Sequence, residues 1–376
     1  MPRQLTIIHT EASVSFGGQG LRILNEALWM QQQGHRLIIL APEESGLFAK
    51  AHQAGLETHA IRFAKASQWR DVFNVARYLR TCRPDIVNTH SSIDTWVIAV
   101  AANWCRVPAI IRTRHLSTPV SAHMLNRWLY NYLCDAIFTT GECITEALKT
   151  NLRIRDDKIT TIATGIRPPE LLPDRDRARQ AIVHQLALPP QTRFVGCLAV
   201  LREWKGHAIL IEAFRQIRDD IPDHHLLIIG EGGFRSAIEH LIAKHGLAPR
   251  VHLLGHRDDI WWVLRALDTK ILVSTHSEGI SQALLQAQFA ECPVIGSDCG
   301  GIPEIIAHEQ TGLLVPKGEV APLGYALRRL LGDPALATHL ARAAHHRAHA
   351  HHTLDMMGYN ILRRYQALLP TLSFET

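Results

Sequence analysis

Short apolar runs alternate with longer amphipathic segments along most of this sequence. Apolar runs at residues 5–9, 36–41, 85–89 and 109–113 are each followed by a segment in which apolar side chains recur at helical spacing. Strands that alternate with helices predict parallel pairing, because each helix returns the chain to start the next strand in the same direction. The sequence therefore predicts an α/β fold with doubly wound parallel sheets.

Chain length and a proline-rich stretch indicate two domains. With 376 residues the chain is longer than one ordinary hydrophobic core supports. The stretch Arg167–Pro173 contains three prolines and has the composition of a linker. We therefore expect one domain over residues 1–168 and a second over residues 169–353.

Composition excludes several classes of protein. No apolar run approaches the roughly 18 residues that a membrane-spanning helix needs, and the N-terminal segment leads directly into a strand without the features of a signal peptide. The seven cysteines are an odd number and form no Cys-x-x-Cys pair, which disfavours a disulfide framework or a zinc site. We expect a cytoplasmic protein.

The excess positive charge of the chain, +5 overall, lies in its first half. Residues 1–166 contain 18 Lys and Arg against 13 Asp and Glu, whereas residues 167–376 contain 22 of each class. A basic domain suggests an anionic partner, which could be a membrane surface, a phosphorylated acceptor or nucleic acid. No nucleic-acid-binding module accompanies the charge, so we do not expect nucleic acid as a partner.

The most informative stretch runs from Ser274 to Pro303. A buried strand is predicted just before it and a helix opened by Ser281 follows, so Glu278 and Gly279 fall between a strand end and a helix start. In a parallel α/β sheet ligands bind at this edge, because helix N-terminal amides point towards it. Glu278 can accept hydrogen bonds from sugar hydroxyls, and Gly279 lets a ligand approach the backbone closely.

This stretch resembles the C-terminal signature of retaining glycosyltransferases of the GT-B fold, in particular glycosyltransferase family 4. The matching residues are Glu278, Gly279, Pro293, Val294, Gly300, Gly301, Pro303 and Glu304. Where the family has a second glutamate, eight positions after the first, this chain has Gln286. The resemblance extends over nearly the whole chain. It implies two Rossmann-like domains that face a central cleft, with a C-terminal helix at 354–376 joining the first, acceptor-side domain and the second domain binding a nucleotide sugar.

The resemblance also implies cations that hold the donor diphosphate. The segment from Leu201 to His207 is similar to the family's diphosphate clamp, which ends in Lys-Gly-His, so Lys205 is the clamp lysine. The family arginine usually lies five residues before this lysine, where the present chain has Val200, and we take Arg202 as its replacement. Cations near a helix N-terminus stabilise the growing charge of a leaving diphosphate without a metal.

Further positions follow from the same resemblance. The residues implied to contact the donor are Gly17, Gly18, Gly232, Gly255, His256, Gly279, Ile280 and Gln286. At the end of a predicted strand, His115 is similar to the family histidine that reaches the donor sugar, and His90 has a comparable place with a weaker indication. Taken alone, the glycine-rich loop that contains Gly17 fits a plain tight turn equally well.

The reaction implied is transfer of a sugar from a nucleotide diphosphate to an acceptor hydroxyl with retention of anomeric configuration. A double displacement would need a carboxylate at the anomeric carbon. The resemblance instead implies a front-face substitution, in which a phosphate oxygen helps to take the acceptor proton. The candidate catalytic residues are Glu278, Arg202, Lys205 and His115. We expect no cofactor and no metal, and the histidines between positions 339 and 352 fit a solvated helix better than a metal site.

Two segments of the first domain, 62–80 and 112–132, combine basic and aromatic residues. They suit peripheral binding to an anionic membrane, here its inner face, and they suit ordinary amphipathic helices equally well.

The leading hypothesis is a glycosyltransferase that uses a UDP-sugar and a glycan or lipid-linked acceptor in lipopolysaccharide or surface-polysaccharide synthesis.

Other functions fit the sequence less well. A non-catalytic GT-B subunit that binds a nucleotide sugar or a protein partner is the alternative, favoured by Gln286 and Val200. An epimerase of the same fold would need a set of carboxylates around the sugar, which the sequence does not offer. A dehydrogenase is disfavoured because Gly-x-Gly-x-x-Gly is missing.

Overall fold

A computed structural model describes residues 3–63 and 68–369 of the chain. The chain divides into two compact units. The first consists of Met1–Gly165 and Thr353–Thr376, and the second of Ile166–His352.

Part of the sequence predicted to contact a membrane lies outside this description. In the segment 62–80 these are residues 64–67 and the side chains of Gln68 and Trp69. The rest of that segment is mainly helical.

The described residues of the first unit contain a seven-stranded parallel sheet. Its strands are β1 Thr6–Thr10, β2 Arg36–Ala41, β3 Glu57–Ala60, β4 Ile86–Thr89, β5 Ala109–Arg114, β6 Ala136–Thr139 and β7 Ile159–Thr161. They lie in the order β3-β2-β1-β4-β5-β6-β7, and every neighbouring pair is parallel. The strand order reverses direction between β1 and β4, so the loops after these strands diverge and leave a crevice at the carboxyl edge of the sheet.

Helices cover both faces of this sheet. They are α1 Gly18–Gln32, α2 Gly46–Gln53, α3 Gln68–Cys82, α4 Ser92–Cys105, α5 Met124–Trp128 and α6 Glu142–Leu152, with a π-helical turn at Leu129–Leu133. Successive strand side chains point to opposite faces. Ile7 of β1 accordingly packs in one core with Trp29 of α1, and Ile8 packs in a second core with Val97 of α4.

The second unit repeats this plan with a six-stranded parallel sheet among its described residues. Its strands are β8 Arg193–Leu198, β9 His224–Ile229, β10 Val251–Gly255, β11 Thr269–Leu272, β12 Val294–Ser297 and β13 Leu313–Val315. Their order is β10-β9-β8-β11-β12-β13, with the reversal between β8 and β11. The helices are α7 Arg175–Gln185, α8 His207–Ile217, α9 Arg235–Lys244, α10 Ile260–Ala266, α11 Gln282–Phe289, α12 Ile302–Ile305, α13 Val320–Gly332 and α14 Pro334–His351. These two parallel sheets confirm the predicted fold class.

The last helix, α15 Leu354–Leu368, packs in the first unit against α1. Trp29 of α1 donates its indole N–H to Oδ1 of Asp355 at 2.7 Å. A Cβ at Gly358 would lie 2.3 Å from the Trp29 ring, so only glycine permits this approach. Tyr365, one turn before the end of α15, is fully buried in the same core.

Candidate active site

Lys205 and Glu278 meet where the second sheet reverses its strand order. Lys205 lies in the loop between β8 and α8, and Glu278 lies in the loop after β11. Nζ of Lys205 is 2.9 Å from Oε1 and 2.7 Å from Oε2 of Glu278. Two residues that the sequence predicted for the same site, 73 positions apart, are therefore joined by a salt bridge at the edge where parallel sheets bind ligands.

Both members of this pair have further partners. Ser274 donates its hydroxyl to Oε2 of Glu278 at 2.5 Å. The ammonium group of Lys205 lies 4.3 Å from the centre of the Trp204 ring, within cation–π distance. Glu278 is 4% exposed. A ligand hydroxyl that binds this carboxylate must share it with Lys205 and Ser274.

Two glycines let the surrounding loops pack closely. Gly206, between Lys205 and α8, has φ of +77°, and a Cβ there would lie 2.0 Å from the carbonyl oxygen of Val273. Gly232, in the loop after β9, has φ of +158°, and a Cβ there would lie 2.3 Å from the carbonyl oxygen of Leu201. A larger residue at either position would push apart the loops at the carboxyl edge of this sheet.

Arg202, predicted to share the work of Lys205, has a different environment. Its side chain is exposed, and within the described residues no ion pair or side-chain hydrogen bond engages it. The structure therefore pairs Lys205 with Glu278 and leaves Arg202 outside that pair. The role of Arg202 stays a prediction.

Other predicted donor contacts lie in neighbouring loops of the same sheet edge. Gly255 ends β10, and its carbonyl oxygen accepts the N–H of Gly230 at 2.8 Å. The next residue, His256, is exposed, and its Nε2 lies 3.3 Å from Oδ1 of Asp258.

The segment after Glu278 leads into α11. Gly279 is buried and Ile280 is half-buried, and Ser281 caps α11 by accepting the N–H of Leu284 at 3.4 Å. Gln286 lies on this helix and is 7% exposed. Its amide replaces a family carboxylate at a buried position.

In the first unit, the predicted residues lie on either side of the reversal between β1 and β4. Gly17 and Gly18 join the loop after β1 to the first turn of α1, and His90 directly follows β4. His115 directly follows β5, the next strand.

His90 and His115 belong to a chain of three buried histidines. Nδ1 of His90 lies 2.8 Å from Nε2 of His115, and Nε2 of His90 lies 2.9 Å from Nδ1 of His9, which is on β1. Nε2 of His9 is 3.8 Å from Oε1 of Glu26, on α1. Burial lowers the pKa of all three histidines, so each ring is neutral and carries one N–H.

The carboxyl group of Glu26 favours one direction of hydrogen-bond donation along the three histidines. If each ring carries its proton on Nε2, His9 points an N–H towards Glu26, and His90 and His115 each donate to the next ring. The opposite arrangement would set a lone pair of His9 against the carboxyl oxygen. The favoured arrangement leaves Nδ1 of His115 as a hydrogen-bond acceptor at the carboxyl edge of the sheet.

Glu26, at the His9 end of the three histidines, is hydrogen-bonded to the last helix. Tyr365 of α15 donates its hydroxyl to Oε1 of Glu26 at 2.9 Å and accepts an N–H of Asn88 at 3.0 Å. The sequence pattern did not single out His9, Glu26 or Tyr365. The available signal was a histidine within the apolar run of β1, but its partners lie on other strands and helices.

Glu11, directly after β1, was also missed. It accepts the N–H of Ser13 at 2.8 Å and the side-chain amide of Gln19. Burial, together with the charge of Asp94, raises the pKa of Glu11 to about 7. An acid that titrates near neutral pH can exchange a proton at this edge of the sheet. The signal in the sequence was an acid that follows a buried strand at once.

His345 and His349, on α14, contact each other and also contact α11. Nδ1 of His345 lies 3.1 Å from the carbonyl oxygen of Phe289, and the His349 ring packs edge-on against the Phe289 ring. Across residues 3–63 and 68–369 no group of three or more His, Cys, Asp or Glu side chains is placed to hold a metal ion. Over the same residues, no helix combines the length and the apolar character needed to cross a bilayer.

Comparison with known proteins assigns a family to each unit. Residues 178–347 match the family described as glycosyl transferases group 1, and residues 16–169 match glycosyltransferase family 4. A glycogen synthase of Mycobacterium tuberculosis is 25% identical over 372 residues, which cover 89% of this chain and 87% of the relative.

Solved structures of the same architecture cover nearly the whole chain. A glycosyltransferase from Rickettsia africae has a TM-score of 0.86 at 20% identity, covering 98% of this chain and 99% of its own. HepE from Anabaena, solved with UDP and glucose, has a TM-score of 0.85 at 19% identity, covering 97% and 100%. WaaG, a glycosyltransferase involved in lipopolysaccharide biosynthesis, has a TM-score of 0.73 at 15% identity, covering 97% and 100%.

Two doubly wound parallel units, each with polar side chains at the crevice of its sheet, are the architecture of GT-B glycosyltransferases, and the chain has this fold. More closely, its second unit is of the group 1 glycosyltransferase type and its first unit is of the glycosyltransferase family 4 type.

Proposed function

We propose that this protein is a retaining glycosyltransferase that moves a sugar from a UDP-sugar to an acceptor hydroxyl by front-face substitution. The observation that carries the proposal is the salt bridge between Lys205 and Glu278 at the reversal of the second sheet. It sets a cation and a carboxylate at one ligand-binding edge. A diphosphate and a sugar, joined in one donor, need this combination.

Lys205, with Arg202, would stabilise the charge that develops on the diphosphate as the glycosidic bond breaks. Glu278 would hold donor-sugar hydroxyls, and the backbone of Gly279 and Ile280 would offer amides to the donor. A diphosphate oxygen would take the proton of the acceptor hydroxyl. The protein cations supply the charge stabilisation, so the proposal requires neither a metal nor a cofactor.

His115 would accept a hydrogen bond from the donor sugar through Nδ1. The chain of His9, His90 and His115 supports this role, because the proton arrangement that Glu26 favours places the proton of His115 on the opposite ring nitrogen.

For the acceptor, we propose a glycan or lipid-linked molecule of lipopolysaccharide or surface-polysaccharide synthesis at the inner face of a membrane. The structural likeness to WaaG and the basic character of residues 1–166 support this choice. Met124 and Tyr132 are 83% and 76% exposed, beside Arg127 on the same short helical segment. Exposed apolar and aromatic side chains next to a half-buried arginine suit an anionic lipid surface.

The test is donor turnover. UDP-, GDP- and ADP-sugars are screened by thermal shift, because a true donor raises the melting temperature by mass action. The donor found is then incubated with candidate acceptors in EDTA, and the anomeric configuration of the product is read by NMR. An inverted product, or loss of activity in EDTA, would contradict the mechanism proposed.

A non-catalytic nucleotide-sugar-binding subunit is the second candidate. Gln286, in place of a family acid, favours it, as does the exposed Arg202, which has no ion pair in the described part of the chain. Slow hydrolysis of the donor in the absence of acceptor would exclude this candidate.

A further inference from the structure

The first unit contains a pocket whose residues have no part in the proposed donor site. Its volume is about 330 Å³, and its wall includes Ser92 and Thr95 from the start of α4, Arg112 and Arg114 from β5, and Asn126 and Tyr130 from the segment after α5 begins. It lies at the carboxyl edge of the sheet, because α4 follows β4 and the two arginines end β5.

Arg112 is an unusual residue to find in such a wall. It is 1% exposed, yet Nε and Nη1 have no hydrogen-bond partner among the described residues. Nε of Arg114 is also buried without a partner in that part of the chain. A buried guanidinium with unused N–H groups is costly, and such groups are normally satisfied by an acceptor.

The nearest acidic side chain does not supply that acceptor. Asp94 attracts Arg112 electrostatically, but its two oxygens already accept five hydrogen bonds, from the side chains of Thr10 and Ser91 and from the N–H groups of His90, Ser91 and Thr95. Tyr130 also lines the pocket beside Arg112, and it leaves Nε and Nη1 of Arg112 without a hydrogen-bond partner among the described residues. Arg112 is therefore a buried cation in the pocket wall whose charge no carboxylate hydrogen bond satisfies within that part of the chain.

The alternation of side chains along β5 explains why both arginines line one pocket. Residues 112 and 114 point to the same face of the strand, and Thr113 points to the other face, where it bonds Asn88 at 2.8 Å. Arg114 is anchored by donating to the carbonyl oxygen of Thr118 at 2.6 Å. Two guanidinium groups two residues apart form a site for an anion with several oxygens.

We propose that this pocket binds a phosphate group carried by the acceptor. This inference rests on the proposed function, because it names a chemical feature of the substrate that receives the sugar. A phosphate dianion would balance the two arginine charges and accept several N–H bonds at once, which a single carboxylate does less completely. His115 directly follows Arg114, so the pocket adjoins the end of the histidine chain in sequence.

Two exposed residues that precede the pocket residue Asn126 in sequence indicate what could carry this phosphate. Met124 and Leu125, on α5 next to Asn126, are 83% and 62% exposed. Exposed apolar side chains beside a phosphate site suit a lipid-linked phosphate, whereas a phosphorylated soluble glycan would use the pocket alone.

Titration calorimetry on the full chain with methyl phosphate and hexyl phosphate tests the proposal. We expect both to bind, and Arg114→Gln and Arg112→Met each to weaken binding about tenfold, the loss expected from removing a charge-assisted hydrogen bond. Arg77→Gln, an exposed arginine on α3, is the matched control, and Lys205→Met removes phosphate binding at the donor site; neither should change the affinity. Arg114→Gln keeps the test decisive if Arg112→Met fails to fold.

The outcomes separate this proposal from the one on which it rests. Binding that persists in both arginine variants and disappears in Lys205→Met would overturn the phosphate pocket. A chain that binds UDP by thermal shift but neither phosphate would also overturn it and leave the proposed function intact, whereas failure to bind any nucleotide counts against that function itself. Tighter binding of hexyl phosphate, reversed by Leu125→Ser, identifies a lipid carrier, and equal binding of the two probes identifies a soluble one.

Discussion

Nζ of Lys205 lies 2.7 Å from Oε2 of Glu278, so each residue is the other's charge partner in the structure. From the sequence, Lys205 is predicted to bind the donor diphosphate and Glu278 the donor sugar. A donor that engages both must replace part of this salt bridge with its own phosphate oxygens and hydroxyls. The pair therefore couples recognition of the two halves of the donor.

Replacing Lys205 with methionine should lower kcat/KM about 100- to 1000-fold, because a cation aimed at the developing charge is lost. Methionine keeps the length and apolar stem of the side chain. Steady-state kinetics measures the change, and Lys244→Met, at the exposed end of α9, is the control that should retain activity. Activity within tenfold of the native protein would contradict the role of Lys205.

Gln286→Glu should tighten donor binding about fivefold and leave kcat unchanged. The reason is that a charged acceptor forms a stronger hydrogen bond than a neutral one by about 1 kcal/mol. Calorimetric titration with the donor and measurement of kcat test the two parts separately. A loss of turnover above tenfold would show that the glutamine has another task.

His90→Phe should lower kcat/KM about threefold to tenfold, because it removes the hydrogen-bond partner that favours a proton on Nε2 of His115. The pH dependence of kcat/KM is the second measurement, since an unrestrained His115 can titrate differently.

The matched control is His59→Phe, on β3 at the edge of the same sheet and outside the histidine chain. If both variants lose activity equally, or if His90→Phe keeps the native pH profile and rate, the histidine chain has no role in positioning His115.

Glu11→Gln should stabilise the protein more at pH 8 than at pH 4.5. The pKa of Glu11 is raised from 4.5 to about 7, so between these values the folded chain holds a proton that the unfolded chain has lost. Native stability therefore falls as pH rises through this window, by about 3 kcal/mol for this group. Urea unfolding of both proteins at the two pH values measures the difference. An equal effect at both would refute the raised pKa.

The alternation of apolar and amphipathic segments was sufficient to predict the fold, because it is local and repeats along the chain. Predicted strands such as 36–41 coincide with the observed Arg36–Ala41. The approach of Lys205 to Glu278 was also accessible, since each lies between a strand and a helix and parallel strands bring such loops to one edge.

The histidine chain and the arginine pocket could not be predicted in the same way. His9, His90 and His115 meet because β1, β4 and β5 are neighbours in the sheet, a property of strand order that no single segment reveals. Nε and Nη1 of Arg112 lack a partner among the described residues because the Asp94 carboxylate already accepts hydrogen bonds at the start of α4, and this depends on three-dimensional geometry.

The place of α15 in the first unit has a consequence for biosynthesis. Trp29 bonds Asp355, and Glu26 bonds Tyr365. These contacts can form only after the whole of Ile166–His352 has been synthesised, because Asp355 and Tyr365 follow it in the chain. The second unit, continuous in the chain, can mature during translation, but the first reaches its final packing only when the nascent chain delivers its closing helix. A polypeptide whose synthesis stops after the second unit and before α15 would expose apolar surface of the first unit to chaperones and proteases.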